Sequence, residues 1–180
     1  LLAQQQTGYL RGLQRYQRLL VQRNYLLNRV RDGVAQVEEL DPWDEKLTAE
    51  GGLILAQRVA AVSELSKIAS LDYRQLADGD EVMHLEYISS LALPESIGDG
   101  DFVGKEMRST LIKNREKEIR AGFTTVGPHR DDLRLLVTGM NVAQYASRGQ
   151  ARTAVLALRL AAGRDLSESC GDTPGLLLYA

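Results

Sequence analysis

A series of apolar and aromatic residues spaced alternately four and three positions apart constrains this chain more than any other feature. Between Thr7 and about Leu40 it passes through Tyr9, Leu13, Tyr16, Leu20, Leu27, Val30, Val34 and Val37, with Arg23 the one charged residue in the series. That period describes one long helix with a narrow apolar seam, as in a coiled coil or an antiparallel helix pair, and such a seam needs a partner to cover it. Asp41-Pro42-Trp43-Asp44 then reads as a fresh helix start. Asp41 is the expected N-cap, Pro42 takes the first helical position, and acids fall in the first turn, where the helix dipole favours them. The second helix, predicted from Trp43 to about Leu76, carries Leu47, Ile54, Leu55, Val59, Val62, Leu65, Ile68, Ala69, Tyr73 and Leu76 as its stripe, and Gly51-Gly52 is expected to bend or loosen it. The two helices should pack antiparallel. Arg23 is expected to be structural, either paired with an acid of the second helix or lying on the edge of the seam.

Beyond Leu76 the pattern changes type. Asp78-Gly79-Asp80 reads as a turn, and Glu81 to Ile88 alternates as a strand with Met83, Leu85 and Tyr87 on one face. Ile97-Gly98-Asp99-Gly100-Asp101 reads as a loop, after which Phe102 to Arg120 returns to helical spacing and ends at Gly122. Lys113, Arg115, Lys117 and Arg120 near its end, interleaved with Glu116 and Glu118, read as favourable charge at a helix C-terminus. Phe123–Val126 and Leu133–Val137 are predicted as short strands, with Thr138-Gly139-Met140-Asn141 turning the chain back. A helix from about Arg148 to Leu166 follows, and Pro174 to Tyr179 looks like a buried apolar strand.

Composition excludes several classes of function. Lys and Arg number 22 against 24 Asp and Glu, for a net charge of -2 and a pI near 5.8, so there is no global positive field and any nucleic-acid contact must be local. Cys170 is the only cysteine, and neither it nor His84 and His129 have metal-ligand spacing, which points to a reducing, cytoplasmic setting without structural zinc. No run of roughly eighteen apolar residues occurs, and the opening Leu1-Leu2-Ala3-Gln4 reads as a cut inside a longer protein. Gly100-Asp101-Phe102-Val103-Gly104-Lys105-Glu106 superficially resembles a phosphate-binding loop. Its glycine spacing is one short, and Glu106 stands where Ser or Thr must meet magnesium, so it is set aside.

One segment does carry the marks of a phosphate site. Ser147, followed three positions later by Gln150 just before the apolar run Ala154 to Ala162, is a capping box that starts a helix. A helix start presents backbone N–H groups without intrahelical partners and partial positive charge, and Gly149 lets a ligand approach. On these residues alone a well-capped helix with no ligand is the favoured reading. Gly127-Pro128-His129-Arg130-Asp131-Asp132-Leu133 leaves two readings open: His129 and Arg130 either face nucleotide or DNA, or serve a turn tied down by Asp/Arg pairs.

Taken in order, these segments resemble the RecF family, bacterial recombination-repair ATPases related to SMC and ABC-type ATPases. The match lies in Gly127 to Leu133, in Tyr145-Ala146-Ser147-Arg148-Gly149-Gln150-Ala151-Arg152-Thr153 as an ABC signature motif, and in Gln22-Arg23-Asn24-Tyr25-Leu26-Leu27, Trp43-Asp44-Glu45-Lys46-Leu47 and Leu85-Glu86-Tyr87 of a helical arm. The resemblance implies an α+β, mostly helical chain: a long antiparallel helix hairpin, the arm, over residues 1–115, joined to a partial ABC-type α/β ATPase head over residues 116–180. It implies that Ser147, Arg148, Gly149 and Gln150 contact in trans the phosphate of ATP held by a second subunit, with His129, Arg130 and Arg152 near nucleotide or DNA and no catalytic residue among these 180. The family's strand ends in paired Walker B carboxylates, which here either follow Ala180 or are replaced at Tyr179-Ala180. For the whole protein the resemblance further implies ATP with Mg, an ATP-dependent homodimer, DNA, the RecR and RecO system and, indirectly, RecA loading. Without a Walker A loop, these residues alone are expected to be inactive. The alternative from a different class is a helical protein-interaction module without nucleotide function.

Overall fold

The apolar seam folds as helix α1 (Thr7–Arg31) in a computed structural model that describes residues 2, 7–77, 80–93 and 100–170. The helix stops well short of Leu40. Gly33 takes a left-handed φ of 72°, and Val34 N–H closes back onto the Arg29 carbonyl at 2.8 Å, the glycine-based ending that satisfies a helix's last carbonyls. Val34 and Val37 keep the heptad phase but lie beyond the stop, exposed. A single 3-10 turn (Val37–Leu40) leads directly into helix α2 (Asp41–Leu76). Asp41 consequently has helical φ and ψ of −57° and −46° and is not an N-cap; its carboxylate accepts from Arg115 Nη2 at 2.6 Å instead.

The contacts between α1 and α2 show an antiparallel hairpin, because partners descend along α2 as positions ascend along α1. Tyr9 Oη accepts from Arg58 Nε at 2.9 Å, Arg15 meets Glu50 at 2.6 Å, and Arg23 meets Asp44 at 2.5 Å. Gly51-Gly52 does not loosen α2, which runs unbroken. A Cβ on Gly52 would lie 2.6 Å from the Gly104 nitrogen and closer still to the Gly100 carbonyl, so these glycines let helix α3 (Gly100–Ala121) cross backbone to backbone. The Gly100 to Gly104 segment that mimics a phosphate loop is the other half of that crossing. Helix α3 ends where expected, at Gly122 with φ 76°.

Arg23 lies at the centre of this hairpin. It is 0% exposed, Asp44 1% and Glu118 0%. Its Nε meets Asp44 Oδ1 at 2.5 Å, and its Nη1 meets Glu118 Oε2 at 2.7 Å and Thr124 Oγ1 at 2.7 Å. Asp44 Oδ2 is shared with Arg115 at 2.7 Å. Glu118 Oε1 accepts from Thr125 N and Oγ1 at 2.6 and 2.8 Å, and Asn24 Oδ1 from Thr124 N and Oγ1 at 2.8 and 2.7 Å. Residues 123–126, expected as a strand, are therefore irregular chain whose N–H groups at Thr124 and Thr125 bond to side chains, with no strand paired to them among the described residues.

The turn that follows is fastened in the same way. Arg58 Nη1 donates to the Pro128 carbonyl at 2.6 Å, and Asp131 Oδ1 accepts from Ser90 N and Oγ at 2.7 and 2.8 Å. His129 Nε2 lies 3.2 Å from the Thr124 carbonyl and Nδ1 2.7 Å from Tyr16 Oη. A carbonyl only accepts, so Nε2 carries the proton and Nδ1 accepts from the tyrosine, the arrangement of a neutral ring. Burial, together with nearby Arg130, lowers the His129 pKa below its ordinary value, against the raising effect of the Thr124 bond.

The remaining elements form a small sheet with a helix packed on it. Strands β1 (Met83–Ile88), β2 (Asp132–Val137) and β3 (Met140–Asn141) lie in the order β1-β2-β3. β2 and β3 pair antiparallel with Val137 opposite Met140. The two-residue link, Thr138 at φ 49° and Gly139 at φ 77°, is the left-handed turn whose twist suits a hairpin. After the short helix α4 (Val142–Tyr145) comes α5 (Arg148–Cys170). Ala154, Ala157 and Ala161 of α5 pack with Ala69, Tyr73, Met83 and Val137 in one core, the small side chains letting the helix approach closely. The chain gathers into two compact units, one of Gly8–Val59 and Ser89–Asp132, the other of Leu1–Thr7, Ala60–Ile88 and Leu133–Ala180. Compactness thus follows no single cut along the sequence. The strand expected at Pro174–Tyr179, the site expected at Tyr179-Ala180, the loop at residues 97–99 and most of the turn at residues 78–80 lie outside the described residues.

Two outcomes follow from these fastenings. Removing one partner from a buried ion pair strands the other charge at a cost of about 3–5 kcal/mol, so Arg23→Met should lower the free energy of urea unfolding by about that much; a loss under about 1 kcal/mol would contradict the cluster. His129 is harder to protonate in the folded chain than unfolded. Its contribution is therefore complete above the ordinary His pKa of 6.5 and declines as pH falls below it. His129→Gln keeps an acceptor and a donor in place without titrating, so its stability should fall less than the parent's between neutral and mildly acidic pH. Parallel pH profiles for the two proteins would contradict the burial of the neutral His129 ring.

Candidate functional site

The start of α5 is built by local chemistry. Asn141 Oδ1 caps α4 by accepting from Ala143 N at 3.0 Å, and Ala146, extended at φ −71° and ψ 144°, breaks the chain away before α5 begins. Ser147 N–H donates to Gln150 Oε1 at 3.0 Å, and Gln150 N–H donates to Ser147 Oγ at 3.2 Å. This is the reciprocal capping box expected from the residues. Ala151 N–H bonds the Ser147 carbonyl at 2.9 Å as the helix takes over.

The box leaves particular groups open. Ser147 Oγ accepts through a lone pair, while no acceptor among the described residues takes its proton. The N–H groups of Arg148 and Gly149 also have no acceptor among the described residues, as the first turn of a helix requires. Ser147, Arg148 and Gly149 are exposed. A Cβ on Gly149 would meet only Ser147 Oγ, at an ordinary 3.8 Å, so packing does not demand glycine there; its absent side chain leaves the backbone approachable. Arg152, one turn on, is exposed. Together these groups offer hydroxyl and amide donors, nearby cations and the positive end of a helix dipole, a set that suits an anionic oxygen.

Gln150 has a second partner that sequence reasoning does not find. Its Nε2 donates to Glu81 Oε1 at 2.6 Å, and Tyr73 Oη donates to Glu81 Oε2 at 2.6 Å. The bonds from Tyr73 and Gln150 hold the Glu81 carboxyl below its ordinary range, while burial and that same carboxylate push the Tyr73 hydroxyl up to about 12. No spacing links position 81 to position 150, so only the folded chain reveals the pair.

The structure brings together Ser147, Arg148, Gly149, Gln150 and Arg152 but places His129 and Arg130 in the other compact unit. Both of those residues are engaged internally. Arg130 lies over the Phe123 ring, 4.8 Å from its centroid, with Nε and Nη2 each 3.3 Å from the Thr124 carbonyl. His84 meets Ser66 Oγ at 3.2 Å. No group of three His, Cys, Asp or Glu side chains among the described residues is placed to hold a metal ion, and no helix among them is long and apolar enough to cross a membrane.

No protein-family model matches the chain. Individual relatives do. It is 39% identical to the DNA replication and repair protein RecF of Chloroflexus aggregans over 98% of its length and 46% of the relative's, and 40% identical to that of Symbiobacterium thermophilum over the same shares. Among solved structures it resembles the recombination mediator protein described as RecF-ATP in the RecFOR pathway, with a TM-score of 0.90 and 28% identity over 97% of this chain and 46% of that one. It also resembles the one described as RecF-ATPrS, with a TM-score of 0.89 and 27% identity over 94% and 45%. The described architecture, α+β and mostly helical with a long helix hairpin, is the one these RecF structures share. By sequence and by fold the chain is similar to RecF proteins, and it spans about half the length of the curated relatives it matches.

Proposed function

We propose that this chain serves as part of a cytoplasmic, RecF-type recombinational DNA-repair protein that works as an ATP-dependent dimer on DNA. In that reading residues 1–115 act as the arm and residues 116–180 as part of the ATPase head. The protein uses ATP with Mg, and it acts with RecR and RecO to direct RecA loading. The observation that carries the reading is the start of α5, a closed turn whose own hydrogen bonds leave the Ser147 hydroxyl proton and the Arg148 and Gly149 N–H groups without acceptors. Similarity to RecF structures described with ATP and ATPrS supports assigning those donors to a phosphate.

In trans, the Ser147 hydroxyl and the two backbone amides donate to the terminal phosphate of ATP bound by the other subunit, and Gln150 keeps the turn closed. Donor bonds to a charged oxygen are the strong ones, so a turn that meets phosphate only across a dimer interface makes nucleotide the bond between subunits. Arg152 adds positive charge beside the turn. His129 and Arg130 act first through the Thr124 carbonyl, holding their own turn. The 180 residues contain no GxxxxGK[ST] sequence, so by themselves they should turn over no ATP. DNA is met by local arginines on its phosphates, and this binding should weaken steeply with salt.

Ser147→Arg in the full-length protein tests the reading. It fills the turn with a long side chain and removes the hydroxyl. Dimerisation with ATP, followed by sedimentation, should be lost while ATP binding to the single subunit persists. If Ser147 is only a cap, the substitution costs about 1 kcal/mol of stability and ATP-dependent dimerisation continues as before, which would overturn the reading.

A further inference from the structure

We infer that Glu81 is a positioning residue for the Ser147–Gln150 turn, acting through the side-chain amide of Gln150; the inference rests on the phosphate-donor reading of that turn. A glutamine amide has nearly the same shape when rotated by half a turn, but its two ends differ in chemistry: one accepts and the other donates. Only one orientation closes the capping box, the one that presents Oε1 to Ser147 N–H. The rotated amide would set donor against donor.

Glu81 selects between them. A carboxylate accepts and never donates, so at 2.6 Å from Gln150 it admits only Nε2, which commits Oε1 to Ser147. Glu81 is held in turn. Its other oxygen accepts from Tyr73 at 2.6 Å, and Tyr73 is 0% exposed, part of the core shared by α2, β1, β2 and α5. Each polar group thereby has a fixed role: Tyr73 O–H and Gln150 Nε2–H both donate to Glu81, Ser147 N–H donates to Gln150 Oε1, and Gln150 N–H donates to Ser147 Oγ. The Ser147 hydroxyl proton is the donor left for a ligand. Without Glu81 only the Ser147 N–H selects the amide's orientation, so Oε1 is held less firmly and the donor set loses part of its preset arrangement. The core of the fold thus reaches the turn through two side chains.

Glu81→Gln is the direct test, since it keeps the shape of the side chain but can accept or donate and so enforces no orientation. In the full-length protein we expect its ATP-dependent dimer to be weaker by about tenfold, the equivalent of one hydrogen bond, with ATP affinity of the single subunit unchanged. Tyr73→Phe, which frees Glu81 without removing it, should shift the dimer in the same direction by less. Ser147→Arg is measured alongside. If Ser147→Arg abolishes the dimer while Glu81→Gln assembles like the parent, the role of Glu81 is overturned and the reading of the turn stands. If neither substitution changes assembly, the reading of the turn fails and this inference falls with it. Should Glu81→Gln melt below the assay temperature, Tyr73→Phe decides, and parent-like assembly of that variant overturns the inference.

Discussion

The guanidinium of Arg23 is the constraint around which the helical part of the chain is arranged. A guanidinium is a planar cation with five donors, so burying one obliges the fold to deliver carboxylates at fixed places. Asp44 of α2 and Glu118 of α3 meet it, and Thr124 beyond α3 takes a further bond. One residue on α1 thereby draws in two other helices and the chain that leaves them. It also sets the register of the hairpin. Sliding α1 along α2 by one turn would place the charge opposite apolar seam residues and leave Asp44 and Glu118 buried without it. Such a cluster need not make the fold more stable than an apolar core would. What it supplies here is one permitted alignment.

Side chains likewise fasten the irregular backbone around Thr124 and His129, and this explains which parts of the structure could be read from sequence. The long helices were legible because apolar residues repeat along them, as was the hairpin's direction. The capping box of Ser147 and Gln150 was legible because both partners lie within one turn of each other. Periodicity has no sight of a stop that keeps phase, so Val34 and Val37 extended α1 past Gly33. Nor does it distinguish a flexible glycine pair from a crossing point, which is why Gly51-Gly52 looked loose. Thr124 and Thr125 looked like strand residues, but their N–H groups belong to Asn24 and Glu118. Tyr16 with His129, Arg58 with Pro128, and Gln150 with Glu81 join positions far apart in the chain, and no spacing rule connects them.

For function, the consequence is a division of labour among polar groups. His129, Arg130 and Asp131, in a segment resembling a family motif, use their side chains to hold their own turn. At the start of α5 the polar groups close the turn and still leave donors over. In the proposed reading, a site for a phosphate supplied by another subunit has to be complete before that phosphate arrives, because ordering it during assembly would cost binding energy. The chain of bonds from Tyr73 through Glu81 and Gln150 provides that completeness from within the molecule.

Hydrogen exchange of the backbone amides at the start of α5, followed by NMR without nucleotide, tests this most directly. A preformed turn predicts slowed exchange at Ser147 and Gln150, whose N–H groups have acceptors, and fast exchange at Arg148 and Gly149, whose N–H groups have none. Equally fast exchange at all four residues would show that the turn is not built until a ligand builds it, and would contradict the account.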